Sequence, residues 1–189
     1  MTRVIGVSGL ARSGKDSFYF LAKEKLKSRG INSCRLAFAD ELKNECDEFL
    51  KSNLGISSFT EDNSEKELIR PFLVTYGTHL RRKIDPNCWI NKLNEKIQDK
   101  QEQKKVIFIT DVRFENEIDW VHSLGGKAVH ITRNGITAPN QEEADNDPIL
   151  KGKSDFFVEW LDFDSQKDNE LSNIIDEALP VSYTHLRAH

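Results

Sequence analysis

Residues 4–17 read Val-Ile-Gly-Val-Ser-Gly-Leu-Ala-Arg-Ser-Gly-Lys-Asp-Ser, and no other stretch constrains the fold as tightly. A short apolar run ends at Gly9. After four intervening residues, Gly14 and Lys15 open a segment in which Phe18, Leu21, Ala22 and Leu26 recur at helical spacing, with Gly30 as its stop. Buried strand, glycine-bounded loop and amphipathic helix together form a cradle for phosphate. The glycines let the backbone curl with its N–H groups inward, the helix N-terminus adds positive charge, and Lys15 reaches the β- and γ-phosphates. The alternative is a glycine-rich strand–helix turn with a solvated lysine. The pattern G-x-x-x-x-G-K normally continues with Ser or Thr; here Asp16 stands in that place and Ser17 follows. Asp16 has two readings: a carboxylate favoured by the helix dipole, or an oxygen ligand for Mg²⁺, directly or through water. Ser17 offers a hydroxyl for the same task.

A second motif lies in Val-Ile-Phe-Ile-Thr-Asp-Val-Arg-Phe-Glu-Asn-Glu, which begins at Val106. An apolar strand ending in Asp111 has the form of a Walker B element, whose acid holds Mg²⁺ or its waters beside the phosphates. The competing reading makes Asp111 the cap of the helix that starts near Phe114. Arg113 is placed to reach an anionic substrate. With Arg70, Arg81, Arg82 and Arg133 it forms a set of guanidinium groups of the kind that phosphoryl transfer needs on donor and acceptor phosphates.

The rest of the chain alternates strands and helices. Further strands are expected at residues 34–39, 106–110, 128–132 and 156–160. Helices are expected after Asp40 as cap, with Leu42, Cys46, Phe49 and Leu50 buried, and over 65–83 with a break at Pro71. Others are expected over 86–100, from Phe114 to the Gly125-Gly126 stop, and over 168–179. Residues 53–64 read as a loop. Residues 134–153 read as a long irregular stretch, the usual form of a lid. Trp89 and Trp160 read as core, and His79, His122 and His130 as structural or exposed. The expected architecture is α/β, a P-loop NTPase-type three-layer αβα sandwich with a mostly parallel sheet and a lid segment. One domain is expected over 1–179, with 40–100 as a helical acceptor-binding region. Residues 180–189 read as a non-native or disordered tail.

Bulk composition narrows the partners. The 189 residues carry a net charge of −4, against a surface that coats nucleic acid. No run reaches the apolar length of a membrane span, and the N-terminus lacks the form of a signal peptide. Cys34, Cys46 and Cys88 form no CxxC pair, which fits a reducing cytoplasm.

On the segments Gly-Leu-Ala-Arg-Ser-Gly-Lys-Asp-Ser, Leu-Ala-Phe-Ala-Asp-Glu-Leu-Lys, the middle stretch from Arg70 to Leu93, and the stretch from Val106 to Arg133, the sequence resembles the bacteriophage deoxynucleoside monophosphate kinases. The Gly-Lys-Asp ending is a trait of that group, shared with animal-type phosphomevalonate kinase. The resemblance implies transfer of the γ-phosphate of ATP, with Mg²⁺, to the 5′-phosphate of a deoxynucleoside monophosphate. It implies ATP contacts at Gly9, Arg12, Ser13, Gly14, Lys15, Asp16, Ser17 and Arg133, and metal contacts at Asp16 and Asp111. It places Asp40, Lys43, Arg70, Arg82, Asp85, Trp89, Asp111 and Arg113 around the acceptor, and Lys15, Arg82, Asp111 and Arg113 at the chemistry. It further implies small-molecule nucleotide partners and a homodimer. The chain departs from the group at Val74, where Gln is frequent, and at residues 140–143, Asn-Gln-Glu-Glu, where relatives often have His-x-Ser-Glu. Two rivals remain: a kinase of another phosphorylated metabolite such as phosphomevalonate, and a non-catalytic nucleotide-binding module.

Overall fold

Strand β1 (Val4–Ser8) is buried along its whole length and lies between β3 (Val106–Val112) and β4 (Lys127–Arg133), parallel to both. β2 (Ser33–Leu36) extends the sheet beside β3, and β5 (Phe156–Trp160) extends it beside β4. The order is β2-β3-β1-β4-β5, every pairing parallel. This computed structural model describes residues 3–160, together with Asn173 and Glu177.

A parallel sheet needs cover on both faces, and the alternation along β1 supplies it. Ile5 and Val7 pack with Phe18, Tyr19, Ala22 and Leu26 of helix α1 (Lys15–Ser28), and with Phe108 and Ile131. Gly6 points the other way: a Cβ there would come within 3.0 Å of Val121 in α6 (Glu115–Ser123). Helix α7 (Gln141–Lys153) lies against β1 and β4. The expected three-layer α/β arrangement is present, with a sheet that is parallel throughout its five described strands.

The chain divides into two compact units, residues 1–36 with 97–189, and residues 37–96. The first carries the sheet. The second holds α2 (Phe38–Leu54), α3 (Asn63–Val74), a π-helical stretch (Thr75–Arg81), α4 (Arg82–Ile84) and the first part of α5 (Cys88–Glu102). Its own core joins Cys46, Leu50 and Ile69, with Leu42, Phe72, Leu73 and Tyr76 packed around them.

Several expected elements shift. β2 stops at Leu36, because buried Phe38 already opens α2 behind an extended Ala37. Asp40 is therefore not a cap; it sits in the first helical turn, where its charge favours the dipole. Phe49 is 53% exposed and stacks on Phe72 at 5.4 Å rather than entering the core. Helix α3 continues through Pro71, and the irregularity comes later, over Thr75–Arg81. There Gly77 brings its backbone so close to Leu42 that a Cβ would lie 2.7 Å from a leucine methyl. The indole N–H of buried Trp89 donates to the Gly77 carbonyl at 3.3 Å.

β3 runs to Val112, so Asp111 belongs to the strand's end. The stretch expected to be irregular is helical from Gln141 onward. Asn140 caps it by accepting the Glu143 N–H at 2.8 Å, and the helix passes through Pro148. Only Leu150 of this helix is buried, so it has no apolar stripe to announce it. The helix expected over 168–179 and the tail at 180–189 lie outside the described residues, save that Asn173 and Glu177 are helical. Trp160 has no described side chain.

Candidate active site

The sheet's carboxyl edge collects the predicted groups of the first unit. β1 ends at Ser8, paired with Val112 on one side and His130 on the other. Gly9 therefore enters its loop at the carboxyl end of β3, which carries Asp111, and Arg133 closes β4 at the same edge. Gly9 adopts φ +130°, and a Cβ there would lie 2.2 Å from the Ile131 carbonyl and 2.9 Å from Ser13 Oγ. No larger residue fits. Arg12 takes a left-handed φ of 66°, a conformation that non-glycine residues seldom hold without a local reason.

Within the loop Lys15 Nζ folds back to donate to the Gly9 and Leu10 carbonyls, each at 2.7 Å. Its pKa is lowered to about 8, by burial first and by the Arg113 guanidinium second; Glu143, Asp16 and Asp111 pull the other way. Two cations and three carboxylates thus share one field. Asp16 is exposed in the first turn of α1, and Asp111 is half-buried. The chemistry of the set fits nucleotide phosphates with magnesium. The loop is too tight for a side chain at Gly9, the buried Ser13 Oγ has no hydrogen-bond partner, and the charges of Asp16 and Asp111 act on the lysine. Among the described residues no three His, Cys, Asp or Glu side chains gather as a self-contained metal cage. Mg²⁺ typically takes one or two carboxylates plus substrate phosphates.

Asp111 is not the N-cap residue of α6. Phe114 is the N-cap of α6, and the Glu117 carboxylate accepts the N–H groups of Arg113 at 2.7 Å and Phe114 at 3.0 Å. Glu117 thus takes two of the N–H groups at the start of α6.

Behind the loop, His130 is fully buried on β4. Its Nδ1 shares a 3.0 Å hydrogen bond with Ser8 Oγ, and Asp147 of α7 lies 3.6 Å from Nε2. Burial pushes the imidazole pKa down against the pull of Asp147.

Residues 37–96 hold the other predicted groups. Lys43 lies over the Phe59 ring at 5.5 Å, and Arg70 is exposed on α3. Asp85 accepts the Asn87 N–H at 2.9 Å and Asn91 Nδ2 at 3.2 Å, which organises the entry to α5. Arg82 is half-buried. Its neighbour Arg81 has Nε 2.9 Å from Glu45 Oε1 and its guanidinium over Trp89 at 5.6 Å. Glu45 also takes the Tyr76 hydroxyl at 2.5 Å and Lys92 at 2.8 Å. The bond to Glu45 pushes the Tyr76 pKa up to about 12.

Sequence reasoning assigned no role to Glu143, Glu117 or Glu45; His130, read as structural or exposed, is buried. For Glu143 a signal existed: Asn140 followed three residues later by Glu is a helix-start pattern. Glu117 stands in the same relation to Phe114, a residue with no capping oxygen, so its role was hidden.

Fold and loop define a P-loop kinase. The phosphomevalonate kinase family model matches residues 7–127, and the chain belongs to that family. Among solved structures, dephospho-CoA kinase from Campylobacter jejuni is 16% identical with a TM-score of 0.53, over 94% of this chain and 97% of that one. A sugar kinase from Janibacter sp. is 12% identical with a TM-score of 0.50 over 100% of both chains. At these identities the likeness is one of fold. No curated protein matches the sequence.

Proposed function

We propose that the protein transfers the γ-phosphoryl group of ATP to the 5′-phosphate of a deoxynucleoside monophosphate. The observation that carries the reading is the convergence of Lys15, Asp16, Asp111 and Arg113 on one loop at the sheet edge. The acceptor assignment rests on the resemblance of Arg70, Arg82, Asp85 and Trp89 to the monophosphate kinase pattern. An acceptor phosphate is already a nucleophile, so no general base is needed; positioning and charge neutralisation carry the reaction.

In this reading the loop N–H groups and Lys15 hold the donor phosphates, with Arg12, Ser13, Ser17 and Arg133 around them. Asp16 and Asp111 hold Mg²⁺, which supplies charge neutralisation across the donor phosphates. Arg113 and Arg82 take the acceptor phosphate, while Asp40, Lys43, Arg70, Asp85 and Trp89 shape its pocket.

The family match favours a second reading, in which the acceptor is phosphomevalonate or a similar phosphorylated metabolite. Both are decided by ATP consumption with dTMP, dGMP, dCMP, dAMP and phosphomevalonate offered one at a time. The proposal expects turnover with at least one deoxynucleotide and none with phosphomevalonate. Turnover with phosphomevalonate alone establishes the second reading.

A further inference from the structure

One carboxylate stands inside the phosphate site. Glu143, in the first turn of α7, has a side chain only 11% exposed. Its Oε2 accepts the N–H of Ala11, a loop amide, at 3.1 Å. Its Oε1 accepts from a terminal nitrogen of Arg113 at 2.7 Å. Its charge also acts on Lys15, raising the lysine pKa against burial. A loop amide, an arginine and the loop lysine are the three kinds of partner that a bound phosphoryl group takes in such a site. The placement is not a loose surface contact, because the Asn140 cap fixes the Glu143 backbone.

We infer that Glu143 is a resident stand-in for phosphate. Its carboxylate satisfies the loop and Arg113 in the nucleotide-free protein, and nucleotide phosphates bind by displacing it. The inference rests on the reading of residues 9–15 as a nucleotide phosphate site. The exchange favours the nucleotide, since phosphate groups bring more negative charge and more acceptor oxygens than one carboxylate. It also ties two events together: the displacement that opens Ala11 to the donor releases Arg113 from its ion pair. Glu143 lies beyond the region matched by the family model, residues 7–127.

The test compares wild type with Glu143→Gln and Glu143→Ala, using MgATP and inorganic pyrophosphate as separate probes in calorimetric titrations. Losing the competing charge should tighten both ligands by about threefold to tenfold, the range of a charged hydrogen bond weakened by solvent. Thermal melting supplies a second readout. Without nucleotide the variants should melt below wild type, and saturating MgATP should close the gap, because Glu143 no longer touches the loop in the bound state. Unchanged or weaker binding by the variants, or a melting gap that persists at saturation, overturns the inference while leaving the nucleotide site standing. No binding by wild type or variants overturns the site reading, and the inference with it.

Discussion

At the scale of single residues, Lys15 carries a charge that the folded protein holds at some expense. Its pKa of about 8 lies below the ordinary 10.5, chiefly through burial and then through Arg113. Below the lower value the lysine is charged in both folded and unfolded chains, and its burial destabilises the fold. Above the higher value it is neutral in both. Between them the unfolded chain binds a proton that the folded chain does not, so stability contributed by this group rises with pH. Lys15→Met has no proton to exchange. Urea denaturation of the nucleotide-free proteins should therefore show wild type gaining stability relative to Lys15→Met as pH rises from about 8 to about 10.5. A difference that stays flat across that window would show that the lysine is not desolvated in the loop. His130 follows the same sign at lower pH. Burial lowers its pKa, so it is held neutral, and the stability this provides is lost as pH falls below the ordinary imidazole range.

At the scale of elements, the strand–loop–helix unit is held by contacts that no side chain at Gly9 can share. An alanine there must shift either the Ile131 carbonyl on β4 or the loop itself, and it must also accept a φ of +130°. Gly9→Ala should cost roughly 1–3 kcal/mol from backbone strain alone, with the clash added. Gly30, at the end of α1, has a positive φ but open space around its Cα. Gly30→Ala should cost only about 1 kcal/mol. Thermal melting of the two variants separates these effects, and equal losses would mean that the close approach at Gly9 does not matter.

The same unit shows why some elements were legible and others were not. β1, β3 and β4 are apolar runs that need cover on both faces, and the run length alone marks them. Helix α1 announces itself by Phe18, Ala22 and Leu26 at helical spacing, all of which are buried. Helix α7 buries only Leu150 and contains Pro148, so periodicity is silent and composition points to a loop. The π-helical stretch over Thr75–Arg81 has no periodic signature, and the close approach of Gly77 to Leu42 within it is a tertiary contact that spacing does not mark. Candidate site residues divide in the same way. Lys15 and Asp111 are tied to motifs with fixed spacing. Glu143 reaches the loop across 132 residues of chain, and sequence spacing carries no trace of such a contact.

At the scale of the whole molecule, one unit holds the phosphate loop, the strand acid and Arg113, and the helical unit of residues 37–96 holds most of the predicted acceptor groups. Membership of the phosphomevalonate kinase family supports phosphoryl transfer to a small metabolite, and the likeness to dephospho-CoA kinase is one of fold. No helix among the described residues is long and apolar enough to cross a membrane.

In the proposed function this site moves a phosphoryl group onto a phosphate acceptor. Phosphorus NMR of wild type and Asp111→Asn, each incubated with MgATP and the deoxynucleoside monophosphate that turns over best, tests it most directly. Wild type should yield a deoxynucleoside diphosphate growing in step with ADP, and a folded Asp111→Asn protein should lose nearly all of both. Inorganic phosphate appearing in place of the diphosphate, or an Asp111→Asn rate close to wild type, would contradict it.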